Sequence, residues 1–276
     1  INPAGSAVAR RSQFTVTPGM NISIARVQGE VLNDGSVAFG NKLQNDKSRF
    51  SMPNIGGMIN FNTGRSRGLK NWSMGFVVNN TRSYSEEIVA RGLNTRTSAF
   101  GEMAARAQYL YGYKPDDFNG NDAYDKINFA DYDLVNAFRA GAIAGTSFTA
   151  GGKTEDAFVG ATENSTADGR IGIGAHGLNQ HFGQTISGAK SDFVYNLALN
   201  ISDIFFFGAN IGVTSINYRS NEFLKEDAVD IEDVTADFGA SGKTYFSSAK
   251  KTYSYRAEGT GVYGKFGFIL TPWKGL

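Results

Sequence analysis

Residues 187–220 read SGAKSDFVYNLALNISDIFFFGANIGVTSINYRS, and this pattern predicts two strands joined by a tight turn at 201–203. In both halves, every second residue is apolar. The apolar sets are Phe193, Tyr195, Leu197 and Leu199, then Phe205, Phe207, Ala209, Ile211 and Val213. Because strand side chains alternate between faces, each strand has one apolar face and one face of small and polar residues. The apolar face either packs into a soluble sandwich or meets the lipid around a membrane barrel.

The amino-acid composition argues against several functional classes. The chain has 276 residues, a formal net charge of +1, 34 Gly, 21 Phe, 12 Tyr and no Cys. A charge near zero gives no electrostatic case for nucleic acid as a partner. The lack of cysteine excludes a disulfide scaffold and a thiolate metal site. No run of 18 apolar residues is present, but barrel strands need only about ten alternating residues each.

Four further segments repeat the alternating pattern, at about 14–24, 54–62, 72–79 and 261–270. Pro18 interrupts the first of them and predicts a bulge or a poorly paired site. The connections alternate between long and short, with long loops expected at about 29–49, 84–188 and 221–250. Short turns at one end and long loops at the other are typical of outer-membrane barrels. The sequence therefore predicts an all-β, antiparallel transmembrane β-barrel of about six strands in this chain, which must belong to a larger barrel because six strands cannot close.

A short motif near the N-terminus gives a family resemblance. Asn2-Pro3-Ala4, the glycine-rich hairpin at 195–218 and Pro53-Asn54-Ile55-Gly56-Gly57 resemble the FadL/TodX family of outer-membrane transporters, in its divergent Bacteroidetes-type branch. The resemblance implies a fourteen-stranded barrel plugged by an N-terminal hatch, of which this chain covers roughly the first half. Residues 1–11 would end the hatch and residues 12–276 would begin the barrel.

The resemblance also implies a function and its parts. Family members take up hydrophobic compounds such as long-chain fatty acids passively across the outer membrane of Gram-negative bacteria. Asn2, Pro3 and Ala4 would be the hatch motif, and Pro18 with Gly19 is the candidate strand kink behind a lateral opening. The expected partners are hydrophobic small molecules, outer-membrane lipid and lipopolysaccharide.

Two helices are predicted inside the longest loop, at 97–111 and 131–144. The first has an apolar stripe at helical spacing, formed by Phe100, Met103, Ala104, Ala107 and Leu110. The stripe is a candidate groove for an apolar ligand, because it can remove such a ligand from water. The alternative is that the stripe packs the loop against itself or against the barrel rim.

Other motifs give no chemical centre. The glycine pattern at 172–177 lacks the flanking strand and helix of a dinucleotide site. The run at 117–122 departs from a calcium loop at its sixth and twelfth positions. His176 and His181 have no nearby carboxylate cluster, and the acidic residues at 226–237 read as a solvated loop. We therefore expect no enzyme activity, no cofactor and no metal site.

Two alternative functions remain open from sequence. A barrel of the same fold can serve as a structural or shuttle subunit of a secretion or surface-attachment complex, with protein partners. A soluble β-rich binding module would instead pack its apolar faces on each other.

Overall fold

The computed structural model describes residues 2–29, 43–150, 153–165, 171–173, 176–230, 235–237, 243–245 and 247–271. Its main element is a six-stranded antiparallel sheet whose strand order is β1-β2-β3-β8-β9-β12. The strands are β1 Gln13–Val27, β2 Leu43–Asn62, β3 Leu69–Asn94, β8 Leu178–Ile201, β9 Phe205–Ala228 and β12 Ser248–Leu270. The predicted all-β, antiparallel class is confirmed. No helix among the described residues is long and apolar enough to cross a bilayer.

The strands are longer than predicted, so the three expected long loops are shorter. β2 already begins at Leu43, β3 continues to Asn94, and β8 resumes at Leu178. The third loop lies between Ala228 and Ser248, and residues 30–42 of the first lie outside the described part of the chain. The boundaries were wrong because polar residues occupy both faces of these strand extensions, which leaves no alternating pattern to detect.

The two faces of the sheet differ in character. We call the face that carries Phe193, Val213 and Val262 the outer face, and the opposite face the inner face. One row of paired residues crosses the outer face of all six strands and is apolar throughout: Val16, Ile55, Val78, Phe193, Val213 and Val262. Large side chains on this face are solvent-exposed, such as Ile211 at 63% and Phe266 at 77%.

The apolar band ends abruptly on four strands. The next row on the outer face consists of Asn80, Ser191, Ser215 and Thr260. Each of these polar residues lies two positions beyond an apolar one on the same strand. The outer face therefore divides into an apolar band near the 201–204 turn and a polar region beyond it.

Pro18 lies at an irregular site, as predicted. Thr17 pairs with Asn54 and Gly19 with Ser51, so Met52 and Pro53 together oppose Pro18. Neither proline has a backbone N–H, and the ladder is interrupted where the two strands bring them together.

Between β3 and β8, residues 98–150 and 153–165 form a loop subdomain. Its helices are α2 Ala99–Ala105, continued by a π-helix Arg106–Leu110, then α3 Pro115–Phe118, α4 Ala123–Lys126, a 3₁₀ turn Phe129–Asp131 and α5 Tyr132–Arg139. Its strands are β4 Ile143–Ala150, which pairs with β5 Lys153–Gly160, and β6 Glu163–Ser165, which pairs with β7 Ile171–Ile173. The remaining short elements are α1 Gly5–Val8, β10 Thr235–Asp237 and β11 Lys243–Tyr245.

Both predicted helices exist, with different lengths. Ser98 caps the first, since its hydroxyl accepts hydrogen bonds from the amides of Phe100 and Gly101. The second ends at Arg139 and not at 144. Gly141 follows with a φ of 71°, which stops the helix, and Ile143 already belongs to β4.

The loop subdomain has its own hydrophobic core. Phe118 lies at its centre, with ring centroids 4.9 Å from Phe158 and 5.7 Å from Phe138. Leu134 and Val135 of α5 are fully buried beside it. A core of this kind lets the subdomain hold its shape above the sheet.

One buried carboxylate joins the loop subdomain to the sheet. Glu226 of β9 is 0% exposed and accepts hydrogen bonds from the Ser98 hydroxyl (2.6 Å), the Ala99 amide (2.7 Å) and the Gln180 side chain (2.5 Å). A buried carboxylate is stable only when hydrogen bonds replace its lost water. The start of α2 supplies two of these bonds, so this contact fixes the subdomain to the ends of β8 and β9.

Glu226→Gln is expected to loosen this joint. The NH₂ group of the new glutamine would face hydrogen-bond donors that now bind the Glu226 carboxylate. These buried donors would lose their acceptor. We expect faster hydrogen exchange across residues 98–105, measured by mass spectrometry, with exchange in β9 near Ile211 unchanged. Glu222→Gln is the control, because Glu222 accepts only from Gln184 nearby. Equal hydrogen exchange across residues 98–105 in both variants would contradict the role of Glu226 in fixing the loop subdomain to the sheet.

Candidate functional site

The N-terminal segment, residues 2–9, lies against the inner face of the sheet near the 201–204 turn. Ala4 and Ala7 are 0% exposed and pack against Ala198 and Phe206. The segment makes one helical turn, α1, so that these two alanines point toward the sheet. Small side chains allow the backbone of the segment to come close to the strands.

Asparagine side chains hold the backbone of this segment. Asn2 accepts from the Ala4 amide at 3.0 Å and donates to the Phe268 carbonyl at 3.0 Å. Asn196 donates to the Pro3 carbonyl at 3.0 Å, and Asn71 donates to the Ala7 carbonyl at 3.0 Å. The polar groups of the segment are therefore paired with the inner face instead of with water.

Two glycines make room for the segment. A Cβ atom on Gly208 of β9 would overlap the backbone of Pro3 and Ala4. A Cβ atom on Gly267 of β12 would overlap the Asn2 side chain. Both glycines lie on the inner face and pair with each other across the two strands. The sheet is shaped at this point for the Asn-Pro-Ala sequence.

An ion-pair network ties the end of the segment to the turn between β8 and β9. Asp203 lies 2.7 Å from Arg10 and 2.5 Å from Lys70. The hydrogen bonds from Lys70 and Asn200 hold the pKa of Asp203 at about 2, below its ordinary value of 3.8. Since the folded pKa is lowered, this stabilisation is present above about pH 4 and is lost as the pH falls through about 2.

A cavity of about 530 Å³ lies above the N-terminal segment on the inner face. Asn2, Pro3 and Ser6 form one end of it. Its walls combine one carboxylate with amide side chains and a few apolar ones: Asp192, Asn54, Asn79, Asn196, Asn210, Met58, Val77 and Val194. Lys265 also lines it, with its amine 4.8 Å from the Tyr263 ring.

A group of tyrosines on the inner face lies further along the strands. Tyr84 and Tyr218 both pair with Gly188, which has no side chain, and their rings meet edge to face at 5.1 Å. Tyr255 continues the group at 6.1 Å from Tyr218. Arg82 lies 5.5 Å from the Tyr84 ring and pairs with Lys190 on the same face. We call these five residues the tyrosine–cation group.

The join between β2 and β3 is only partial. The strands pair from Asn62 with Asn71 as far as Asn54 with Asn79, although both continue beyond. Past that point the contacts between the described parts of the two strands are made by side chains: the Asn45 amide donates to the Glu87 carbonyl at 3.4 Å, and the Lys47 amine lies 4.0 Å from the Glu87 carboxylate. This seam is the weakest lateral junction between neighbouring strands of the described sheet.

The predicted loop groove is not an open groove. Phe100 and Met103 are 3% and 4% exposed, and Ala104 and Ala107 are buried with them in the core of the loop subdomain. Only Leu110 is exposed, at 68%. The stripe packs the loop against itself, which is the alternative that the sequence left open.

The structure places the remaining candidates apart from one another. Pro18 and Gly19 lie at the bulge between β1 and β2, and Asn2, Pro3 and Ala4 lie at the cavity. His181 accepts a hydrogen bond from Arg91 at 3.0 Å on the outer face. In the 117–122 run, Asp117 binds the Lys114 amide and Asp122 pairs with Lys126. Among the described residues, no three His, Asp or Glu side chains converge to hold a metal ion.

Sequence reasoning missed the residues that receive the N-terminal segment. Gly208, Asn196 and Asn71 occupy inner-face positions, where the alternation predicts only that a residue is small or polar. Their partners are more than 60 residues away in the chain, and a local pattern carries no signal for such contacts. The one available hint was the excess of Gly and Asn on these strands.

Comparisons with known proteins leave the function to be argued from the site itself. No known protein family, no curated protein and no solved structure matches this chain.

Gly208→Ala is expected to release the N-terminal segment. The added methyl group must displace the backbone of Pro3 and Ala4, because neither can rotate away. We expect hydrogen exchange and protease cleavage within residues 2–9 to rise several-fold. Gly261→Ala on β12 is the matched control, since its Cβ would meet nothing within 4 Å. Unchanged protection in Gly208→Ala would show that the segment is held in another way.

Proposed function

We propose that this chain is part of an outer-membrane β-barrel for the passive uptake of hydrophobic compounds such as long-chain fatty acids. The observation that carries the proposal is the Asn-Pro-Ala segment, which closes one end of a cavity on the inner face while the outer face of the same strands is apolar and exposed. In this proposal the segment is the end of the hatch, and the inner face lines the lumen.

The outer face supports a lipid environment. Phe205 to Val213 of β9 is a span of about nine residues, which matches the length of a tilted membrane-spanning strand. Soluble monomers rarely expose a continuous apolar surface of this extent. A soluble binding module would need a second layer to cover it, and the loop subdomain instead packs on itself. The open edges of β1 and β12 would be closed by further strands, since unpaired edges are not tolerated in lipid.

The inner face supports an amphipathic ligand. The tyrosine–cation group lies above the cavity, and Lys265 lies within it. Aromatic rings offer an apolar surface to a hydrocarbon chain, while Arg82, Lys190 and Lys265 offer charge to an acidic head group. The seam between β2 and β3 is the proposed lateral exit, in preference to the Pro18–Gly19 bulge, because backbone pairing ends there.

A second candidate function rests on a separate observation. The loop subdomain exposes Tyr109 at 75%, Leu110 at 68% and Phe129 at 84%. Exposed aromatic residues are enriched in protein interfaces. A barrel that serves as a structural or shuttle subunit of a surface complex would use this surface to bind a protein partner.

Ile211→Arg tests the lipid environment. In a soluble protein this 63% exposed side chain could be replaced at little cost. At the centre of a lipid-facing band, arginine costs about 2–4 kcal/mol. We expect the protein with this change to lose most of its membrane insertion, measured as heat-dependent mobility on SDS gels after outer-membrane extraction. Asn217→Arg, on the same strand and face but beyond the band, should insert normally. Normal insertion of both would argue for the soluble module.

Ligand charge tests the transport path. We propose to titrate the full-length protein in mild detergent with a long-chain fatty acid and with the matching fatty alcohol. Arg82→Ala combined with Lys265→Ala should weaken fatty-acid binding several-fold and leave alcohol binding nearly unchanged, because only the acid interacts with these cations. Arg256→Ala on the outer face is the control. Equal losses of affinity for the acid and the alcohol would contradict the proposed role of Arg82 and Lys265 in binding the acidic head group. If neither ligand binds the protein, the uptake function is contradicted.

A further inference from the structure

The polar region of the outer face carries a concentration of hydroxyl and amide side chains. On β8, β9 and β12 the rows beyond the apolar band contain Ser191, Ser215, Thr260, Ser187, Thr185, Asn221, Ser254 and Thr252. All of these groups donate and accept hydrogen bonds without net charge. Such a surface is suited to a ligand that itself carries many hydroxyl groups.

A pocket of about 280 Å³ lies within this region. Gly183 forms its floor, and the Phe223 ring lies against it so closely that a Cβ on Gly183 would overlap the ring. Thr185, Asn221 and Ser254 line the pocket around that ring. An aromatic surface beside hydroxyl and amide groups is the combination that packs against a sugar ring and binds its hydroxyls.

Charge around the pocket favours an anion. The Lys250 amine lies 4.8 Å from the Phe223 ring at the pocket. Two carboxylates also border the pocket, and both have partners: Glu87 lies near Lys47, and Glu222 accepts from Gln184. The Gln184 amide carries no charge, so Glu222 remains an anion, but its even-numbered position on β9 places it on the inner face, whereas Lys250 lies on the outer face.

Two arginines stand directly opposite each other in the neighbouring rows. Arg219 of β9 pairs with Arg256 of β12, and both are exposed on the outer face. Glu258 forms an ion pair with Arg256 and also accepts from Asn217 at 2.9 Å. Among the described residues, none forms an ion pair with Arg219. Like charges directly opposite in a sheet repel, and a shared anion would remove the repulsion.

We propose that this outer-face site binds the phosphorylated sugar head group of a glycolipid in the surrounding leaflet. Arg219 and Arg256 bind the phosphate, since guanidinium groups match its geometry. The hydroxyl, amide and Phe223 groups bind the sugar. The proposal rests on the outer-membrane location proposed above.

The height of the site supports a membrane-attached ligand. Arg219 lies six residues beyond Val213, which is the last residue of the apolar band on β9. At about 3.3 Å per residue this is about 20 Å along the strand, or about 14 Å above the band for a strand tilted by about 45°. That level is outside the hydrocarbon and within reach of a lipid-linked oligosaccharide.

The test uses the full-length protein in mild detergent and the carbohydrate of lipopolysaccharide after removal of its acyl chains. One sample keeps its phosphates and the other is dephosphorylated. By calorimetric titration at low salt, we expect the phosphorylated sugar to bind at least about tenfold more tightly, in line with two charge-assisted contacts. Arg219→Ser combined with Arg256→Ser should abolish this preference. Arg67→Ser, in the exposed turn between β2 and β3 at the opposite end of the sheet, should keep it.

Three results would overturn the proposal: equal binding of the two sugars, no binding of either, or an unchanged preference in the double variant. The amount of intact lipopolysaccharide that co-purifies with the protein should also fall in the double variant but not in Arg67→Ser, which separates a leaflet glycolipid from free polysaccharide. Heat-dependent gel mobility shows that each variant is folded. Fatty-acid binding in the same preparation reports the uptake function separately, so either proposal can fail alone.

Discussion

The unbroken register of β9 is the constraint on which the other features depend. β9 pairs without a shift with β8 from Phe205 to Ala228 and with β12 from Phe205 to Asp227, so its even-numbered residues all face inward. This single parity places Gly208 under the N-terminal segment, Tyr218 in the tyrosine–cation group and Glu226 under the loop subdomain. A slip of one residue would exchange the faces of all three and would turn the apolar set at Ile211 inward. The N-terminal segment at one end of the inner face and the loop subdomain at the other are therefore both positioned by the continuous pairing of β9.

The sequence predicted the part of this ladder in which the two faces differ most. Alternation is clear where Phe205, Ile211 and their neighbours oppose Gly and Asn, and there the strands were predicted correctly. Beyond Ser215 polar and apolar residues occur on both faces, the period disappears, and strand extensions were mistaken for loops. The helix after Ser98 was predicted from its apolar stripe. A stripe at helical spacing shows only that one face of the helix avoids water. It could not tell whether that face forms a ligand groove or, as Met103 does, packs into the core of the loop subdomain.

The contacts at the two ends of the inner face differ in strength in a way that fits their proposed roles. At the loop end, Glu226 is buried and has three donors, and losing one leaves a desolvated charge with only two hydrogen bonds. At the other end, neutral amides bind the backbone of residues 2–9, and each such hydrogen bond contributes only about 0.5–1.5 kcal/mol net. The apolar part of that contact is mainly Ala4 and Ala7 against Ala198 and Phe206.

A plug that must move needs this balance. Alanine side chains bury little apolar area, so the segment gains specificity from Gly208, Gly267 and the asparagines more than it gains affinity from hydrophobic contact. When it leaves, Asn196 and Asn71 would face the cavity with free amide groups that water can satisfy, so the open state carries no buried unpaired group. An apolar attachment of the same size would expose hydrocarbon on release and would resist opening. The amide-rich inner face is thus consistent with a segment that closes the cavity and can still be displaced.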